Sequence, residues 1–458
     1  MDYTFTFLES IRTQLADHFA AGNGKEMAGY VFAGVSRTEH ETRFIGRQFR
    51  PVKPEHIIRH GPLHISIRSD SYCPALQHAD QTKHSFWFIH SHPRGYPEFS
   101  PQDDCEEPKL FSTAYARIGG DALHGSIVFP EGAAPVGRIW RRDDTSVPLK
   151  RIRVIGSRFQ FHDLIIDSSP IPDFFDRQVR AFGPDIQRRL ASLHVIIVGG
   201  GGTGSAVAEQ LIRLGVGKLT IIDPQCFEGS NVNRVYGSSV KDEGMPKVEI
   251  LRRLAAHISL GTVVEVIPDS IYRKPIAERL REGDVIFGCT DEHAARSILG
   301  EVALHYAIPV IDVGVRIHSE NQIIQSISGR TTVLYPGASC LYCRGRIDPR
   351  RVAFDMTSFF NPAEAAERRR EGYAPELLEN NPAVIPFTTT VAAGAVSELI
   401  HRLTGFMGLN RRTTEVIYRF DQNDLGRNSL PPQAGCTCAD HAQLGRGDTK
   451  LFLGMMWP

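Results

Sequence analysis

Two histidines and an aspartate have the types and spacing of metal ligands. His90 and His92 belong to the segment HSHP, which directly follows the apolar run at 86–89. Because side chains two apart on a strand project to the same face, both rings can reach one ion. The segment SPQD at 100–103 follows after six more residues and has proline at the first helical position. Asp103 could supply a third ligand, and three ligands with an open position for water describe a catalytic zinc rather than a structural one.

Other interpretations of these residues stay open. Ser100 and Asp103 also have the spacing of a variant helix capping box, and such a motif on its own is more often a cap than a metal site. Asp104 and Glu106 are nearby carboxylates that could replace Asp103 as a ligand. The spacing therefore predicts a metal site whose third ligand is one of these carboxylates.

A glycine-rich turn predicts a nucleotide site. Gly199, Gly201, Gly202 and Gly204 belong to the run GGGGTG between a strand-like and a helical segment, and Asp223 ends the next strand about 20 residues on. The backbone amides of such a turn, together with the helix N-terminus behind it, can approach phosphate. Taken alone, this pattern favours NAD or FAD.

Cationic side chains around that turn weigh against a dinucleotide. Arg234 ends the segment NVNR and Lys247 ends the segment GMPK, both after the glycine-rich turn, while Arg177 lies upstream of it. A nicotinamide cofactor gains little from three extra cations, whereas a triphosphate that loses pyrophosphate needs them to neutralise developing charge. The set favours ATP.

Two close cysteine pairs predict a second metal site. Cys340 and Cys343 have two residues between them, and Cys436 and Cys438 have one, so His441 could replace Cys438 as the fourth ligand. Buried free thiols are the alternative to a closed structural zinc. Eight cysteines are sparse for a disulfide scaffold and suit a reducing compartment, so we expect a cytoplasmic protein.

The elements that must position these residues change pattern along the chain. A predicted amphipathic helix at 5–20 and short strand-like runs indicate an α+β domain. The runs lie at 28–32, 63–67, 85–89 and 125–129. From residue 174 onward strands alternate with helices, as in a doubly wound α/β sheet. We expect domains at 1–155 and 174–458, joined by a linker at 156–173.

Composition excludes several classes of partner. Lys+Arg and Asp+Glu both number 52 in 458 residues, so no net charge drives binding to nucleic acid or anionic membranes. A content of 41% apolar residues is that of a globular protein. No run of 18 apolar residues occurs and the start lacks the features of a signal peptide, so we expect neither nucleic acid nor a membrane as partner.

The combined pattern, HSHP followed after six residues by SPQD, resembles the JAMM (MPN-plus) metalloproteases, zinc enzymes that cleave ubiquitin-like proteins from their targets. The resemblance covers about residues 1–150. It implies that Glu26, at the start of a strand, is the general base, that His90, His92 and Asp103 bind zinc, and that Ser100 helps to stabilise the oxyanion. Since all five expected side chains are present, an active domain is favoured over a decayed one.

The later motifs resemble the ThiF/MoeB branch of the ubiquitin-activating superfamily, over roughly residues 174–458. The resemblance implies a Rossmann-like adenylation domain. The implied roles are ATP ribose for Asp223, phosphate for Asn233, Arg234 and Lys247, Mg²⁺ for Asp291, and an arginine finger across a homodimer for Arg177. Two positions depart from the family, since Phe174 stands where an arginine is usual and Val235 where a glutamine is usual.

A thioester step is not expected. Relatives that form one usually carry the nucleophile on a mobile segment after the first cysteine pair, and residues 345–386, which we expect to form a charged, flexible crossover loop, contain no cysteine. Cys289 falls where the fold is usually buried. Cys226, close to Asp223 in sequence, remains an alternative nucleophile.

Together the resemblances predict an enzyme that uses ATP, Mg²⁺ and two zinc ions, one catalytic and one structural. One domain would adenylate the terminal glycine of a ubiquitin-like or sulfur-carrier protein, and the other would trim that protein or remove it from targets. A conjugating enzyme is a further possible partner, and a role in antiviral defence rests on analogy alone. The alternatives are an NAD-dependent oxidoreductase and a metal-binding first domain that only docks partners.

Overall fold

A computed structural model describes residues 1–165, 167–371 and 382–457. The chain forms two compact units. The first contains Met1–Ile166, His305–Ala307 and Ala442–Gly454, and the second contains Asp167–Leu304, Ile308–His441 and Met455–Pro458. Within the described residues, no helix combines the length and the apolar character that crossing a membrane requires.

The first unit is built on a nine-stranded mixed sheet, with a separate two-stranded hairpin of β4 and β5. Its strands are β1 (Asp2–Leu8), β2 (Ala28–Arg37), β3 (Glu41–Pro51), β4 (Ile57–His60), β5 (Ile65–Ile67), β6 (Ser85–His92), β7 (His124–Pro130), β8 (Val136–Trp140), β9 (Ser146–Pro148), β10 (Arg151–Ile155) and β11 (Phe159–Asp163). Its helices are α1 (Glu9–Ala20), α2 (Ser69–Thr82) and α3 (Pro101–Arg117). The strand order is β11-β10-β1-β3-β2-β6-β7-β8-β9.

Strand β6 shows how this sheet positions its site. Successive side chains alternate between the two faces, so Phe86 joins the core formed with α2 and α3, whereas Trp87 packs against Phe5 and Phe44 on the other face. His90 has the same parity as Phe86. The strand therefore directs His90 toward the face that α3 covers.

The predicted helix at 5–20 is wrong over its first turn. Residues 2–8 form β1, which pairs in parallel with both β3 and β10, and the helix begins at Glu9. Because β1 lies inside the sheet, both Phe5 and Thr6 are buried although they face opposite sides. Alternating threonine and phenylalanine fit this position better than a helical turn.

The second unit is a doubly wound sheet with an antiparallel extension. Its strands are β12 (His194–Val198), β13 (Lys218–Ile222), β14 (Val263–Ile267), β15 (Val285–Gly288), β16 (Val310–Glu320), β17 (Ile323–Leu334), β18 (Glu415–Arg419) and β19 (Asp424–Asn428). Its helices are α4 (Asp176–Phe182), α5 (Pro184–Ser192), α6 (Gly202–Arg213), α7 (Lys247–Ile258), α8 (Lys274–Arg279), α9 (His293–Tyr306), α10 (Pro349–Phe360), α11 (Pro362–Arg370) and α12 (Ile385–Thr404). The last residues of α9 group with the first unit.

The strand order of this sheet marks a binding crevice. The order is β14-β13-β12-β15-β16-β17-β18-β19. The first five strands in this order are parallel to one another. The chain leaves β12 toward β13 and later returns to its other side as β15, so the direction of winding reverses there. Ligands of such sheets bind outside the carboxyl ends of the strands at this reversal.

An α+β unit followed by an α/β unit confirms the predicted fold class.

Part of the predicted crossover loop is helical. Asn361 accepts a hydrogen bond from the backbone of Glu364 at the start of α11, and Arg368 pairs with Glu364 one turn on at 2.5 Å. The charged run at 367–371 thus ends a capped helix rather than lying in a loop. Residues 372–381 of the predicted loop lie outside the described residues.

The segment Ala442–Gly454 belongs to the first unit although it follows the second unit in sequence. The backbone of Gly447 forms an isolated parallel β-bridge with Val35, near the end of β2. The guanidinium of Arg47 on β3 donates hydrogen bonds to the carbonyls of Leu444 (2.9 Å) and Ala442 (2.6 Å). A Cβ at Gly34 would lie only 2.6 Å from the oxygen of the residue at 445. The segment is therefore packed directly onto the strands, and the sequence carried no signal for this placement.

Candidate metal and nucleotide sites

The end of β6 and the first turn of α3 bring three metal-ligating side chains together. His90 Nε2 lies 3.1 Å from Asp103 Oδ1 and 3.2 Å from His92 Nε2, and His92 Nε2 lies 3.6 Å from Asp103 Oδ2. Burial opposes ionisation of Asp103, but hydrogen bonds from the two histidines hold its pKa well below its usual range. Two imidazoles and a carboxylate converging in this way fit a catalytic zinc ion.

The cap and the ligand interpretations of Asp103 are compatible. Asp103 Oδ2 accepts hydrogen bonds from the backbone N–H and the hydroxyl of Ser100, each at 2.7 Å, while Oδ1 faces His90. The alternative carboxylates point elsewhere, since Asp104 pairs with Arg138 and Glu106 pairs with Lys109. The structure thus groups Asp103 with the histidines, and the capping box holds it there.

Glu26 lies beside this group, immediately before β2. It is 5% exposed, and its backbone N–H donates to the carbonyl of Gly61 in the β4–β5 hairpin at 2.8 Å. Burial raises the pKa of Glu26, while the nearby His90 and His92 lower it and Asp103 raises it. A buried carboxylate coupled to the metal-ligating group is suited to accept a proton from a metal-bound water.

The glycine-rich turn lies at the reversal of the second sheet. Gly199 has φ +100°, and a Cβ there would lie 2.5 Å from the carbonyl oxygen of Cys289, so no other residue fits. A Cβ at Gly204 would lie 1.8 Å from the Gly199 oxygen. The carboxylate of Asp223 accepts hydrogen bonds from the backbone N–H groups of Gly200 (2.6 Å) and Gln225 (2.8 Å), which fixes it against the turn.

A cavity at this turn gathers most of the residues predicted to bind nucleotide. Its lining includes Gly199, Gly201, Gly202, Asp223, Arg234, Lys247 and Asp291. Gly204 packs behind the turn instead. Asn233 is outside the lining and accepts a hydrogen bond from Arg234 at 3.3 Å. Arg177 is exposed on α4, and it is not among the described residues that line the cavity.

Sequence reasoning missed several polar residues of this cavity, among them Gln225 and Arg296. Gln225 accepts a hydrogen bond from Lys247 Nζ at 2.5 Å and so orients that ammonium group. Arg296 reaches the lining from α9, held by an ion pair with the buried Asp312 at 3.4 Å. The position of Asp312, at the carboxyl side of a parallel strand beside the reversal, was the available signal.

The four paired cysteines form one cluster. Cys340 Sγ lies 3.8 Å from Cys343 Sγ and 3.4 Å from Cys436 Sγ, and Cys343 Sγ lies 3.4 Å from Cys438 Sγ. Sulfurs that bind one tetrahedral zinc at about 2.3 Å lie about 3.8 Å apart. The neighbouring thiols, Cys438 foremost, lower the pKa of Cys340, as expected of sulfurs that share one site. Among the residues that the structure describes, the cluster uses Cys438, and His441 is not part of it.

Two further cysteines, Cys289 and Cys226, are candidates for the nucleophile of a thioester step. Burial raises the pKa of the Cys289 thiol well above its usual range, and the nearby Asp312 raises it further. Such a thiol remains protonated and is a poor nucleophile. Cys226 is exposed, so its thiol remains the alternative nucleophile. Its backbone pairs with that of Pro246 in an isolated antiparallel β-bridge.

Two family models match the chain, one over each domain. Residues 175–438 match the ThiF family, and because this match spans more than half of the chain, the protein belongs to that family. Residues 8–141 match the prokaryotic homologs of the JAB domain, so one chain contains both domains.

The relatives share only part of their length with the chain. The SAMP-activating enzyme E1 of Haloferax volcanii is 28% identical over 35% of this chain and 56% of its own length, and the molybdopterin-synthase adenylyltransferase of Escherichia coli is 32% identical over 38% and 68%. The chain therefore spans about half to two thirds of these relatives. Among solved structures, the crystal structure of E. coli MccB with MccA-N7isoASN is similar over 59% of this chain and 76% of that chain, with 16% identity and a TM-score of 0.47.

Proposed function

We propose that the second unit adenylates the C-terminal glycine of a ubiquitin-like or sulfur-carrier protein. The observation that carries this proposal is the single cavity that joins the glycine-rich turn, Asp223, Arg234, Lys247 and Asp291. A carboxylate with two fixed backbone donors suits a ribose at Asp223, and the two cations suit a polyphosphate. Activation of such proteins is what the names of the relatives describe.

The reaction follows from the charges in that cavity. An oxygen of the partner's terminal carboxylate bonds to the α-phosphorus of ATP, the bond from that phosphorus to the bridging oxygen breaks, and pyrophosphate leaves. Lys247 and Arg234 neutralise the charge that develops on the leaving group. Asp291 would hold Mg²⁺, which supplies further positive charge when bound.

The test is partner-dependent exchange of radioactive pyrophosphate into ATP, with a small protein that ends in Gly-Gly as substrate. We expect Arg234→Ala, Lys247→Ala and Asp291→Ala to lower exchange by about 10²-fold or more, since each removes a charge that stabilises the transition state. Lys241→Ala is the matched control, because Lys241 is exposed and is not among the described residues that line the nucleotide cavity. Undiminished exchange in all three cavity variants would rule the proposal out.

We further propose that the first unit is a peptidase that acts on the same partner, either trimming its C-terminus or removing it from targets. His90, His92 and Asp103 would hold zinc, which supplies a bound water of lowered pKa and polarises the scissile carbonyl. Glu26 takes the proton of the attacking water and delivers it to the leaving amine. Ser100 already donates its hydroxyl to Asp103, so stabilising an oxyanion requires that hydroxyl to rotate.

The peptidase is tested by zinc content and by cleavage of a linear fusion that carries extra residues after the Gly-Gly. Loss of both in His90→Ala supports the proposal, and a wild-type protein that holds no zinc in this unit contradicts it. The comparisons give no support to the nicotinamide alternative. A homodimer with Arg177 acting in trans, a conjugating enzyme as partner and a cytoplasmic location remain predictions.

A further inference from the structure

A buried carboxylate lies one helical turn beyond Asp103. Glu107 is 2% exposed, and because residues four apart share a helix face, it points toward the same sheet surface as Asp103. Its Oε2 accepts three hydrogen bonds, from Ser126 Oγ (2.6 Å), Arg138 Nε (2.9 Å) and Trp140 Nε1 (2.8 Å). One oxygen of Glu107 is therefore held rigidly by donors on β7 and β8.

The other oxygen of Glu107 has no such partner. Glu107 Oε1 is buried without a hydrogen bond, and so is His90 Nδ1, as far as the described residues go. Glu107 is bonded to Ser126 on β7, and Ser126 lies two residues before Val128, the register partner of His90, so the two groups belong to one region of the sheet. An acceptor and a donor left unpaired in one buried region each carry a desolvation cost that pairing them would remove.

The ring of His90 is fixed in an orientation that suits this pairing. Its Nε2 edge faces Asp103 and His92, and its plane stacks on Phe88 with ring centroids 5.3 Å apart and an interplanar angle of 29°. Phe88 lies beside Ser126 in the register of β6 and β7, and Ser126 donates to Glu107. The Nδ1 edge is therefore the edge of His90 directed away from the metal ligands.

We propose that Glu107 is a positioning residue for the metal site, whose Oε1 receives the Nδ1–H of His90 through one buried water. This contact fixes the tautomer that leaves the Nε2 lone pair free for the metal and raises the ligand strength of the ring. Carboxylates that orient a metal-bound histidine in this way typically contribute 10- to 100-fold to metal affinity. The inference rests on the proposed peptidase, because it needs a metal at His90.

The test compares Glu107→Gln with Asp104→Asn in the full chain. Asp104 also pairs with Arg138, at 2.5 Å, but is exposed and does not belong to the group formed by His90, His92 and Asp103, so it controls for the loss of an arginine partner. We expect Glu107→Gln to weaken zinc binding by about 10- to 100-fold in competition with a chelator and to shift the visible spectrum of the cobalt-substituted protein. Asp104→Asn should match the wild type, and so should pyrophosphate exchange in both variants.

Three results are informative in different ways. Equal zinc affinity and an equal cobalt spectrum in Glu107→Gln and the wild type would overturn the inference. A wild-type protein without zinc in this unit would overturn the proposed peptidase instead. If Glu107→Gln fails to fold, ¹⁵N-histidine NMR of the zinc-loaded wild type decides: a slowly exchanging His90 Nδ1–H supports the inference, and an unprotonated or rapidly exchanging Nδ1 refutes it.

Discussion

Glu26→Gln separates the chemistry of the two units. Glutamine keeps the size of the side chain and removes the proton acceptor, and the backbone cannot drift, because Glu26 N–H is bonded to Gly61 and Met27 N–H is bonded to Ser91 Oγ at 3.0 Å. Loss of a general base typically costs 10²- to 10⁴-fold in rate, or about 3 to 5 kcal/mol of transition-state stabilisation. We expect peptide hydrolysis to fall by that factor.

The assay measures three quantities on one preparation: zinc content, cleavage of a linear partner fusion, and pyrophosphate exchange. Zinc and exchange should remain at wild-type values, since Glu26 is not in the ligand group and lies in the first unit. Glu55→Gln is the matched control, because Glu55 is exposed in the same unit and pairs only loosely with Lys53 at 3.8 Å. Loss of zinc in Glu26→Gln would make Glu26 a ligand, and cleavage at the wild-type rate would assign the base to another residue.

The remaining predictions concern assembly, pH and metal removal. Inactive Arg177→Ala and Lys247→Ala subunits should regain exchange activity when mixed, if the arginine acts across a dimer, and absence of complementation argues against a shared site. Burial raises the pKa of Glu41, but the buried Arg43 and Arg153 outweigh this effect and lower it from 4.5 to about 2. The stability that ionised Glu41 gives the folded protein should therefore be lost as pH falls through that window. Acid unfolding of Glu41→Gln should depend less on pH there. Cys438→Ser should release zinc and lower the thermal midpoint of the second unit, whereas His441→Ala should do neither; the reverse outcome would make His441 the ligand.

Local spacing explains what could be predicted from the sequence. His90, His92 and Asp103 are close in sequence and lie on elements with fixed periodicity, so their convergence follows from one strand end and one helix turn. The glycine-rich turn and Asp223 belong to one βαβ unit for the same reason. These features depend on few contacts between distant parts of the chain.

Long-range packing explains what was missed. The strand at 2–8 owes its conformation to neighbours at 41–46 and 151–155, so its local pattern was misleading. No sequence motif singles out Glu107 or Arg296. Their proposed roles follow only from the buried groups beside them, such as Asp312 next to Arg296. The placement of 442–454 on β2 and β3 has no local cause at all.

The position of that last segment has a consequence for synthesis on the ribosome. The first unit needs residues 442–454, which emerge only after residues 167–441 have been translated. At about 5–20 residues per second, the roughly 275 residues in between impose a wait of about 15 to 55 s. During this time the surface of β2 near Val35 lacks its partner at Gly447. We expect the nascent first unit to stay incomplete until most of the second unit has been synthesised, so that the order of translation also sets the order in which the two units mature.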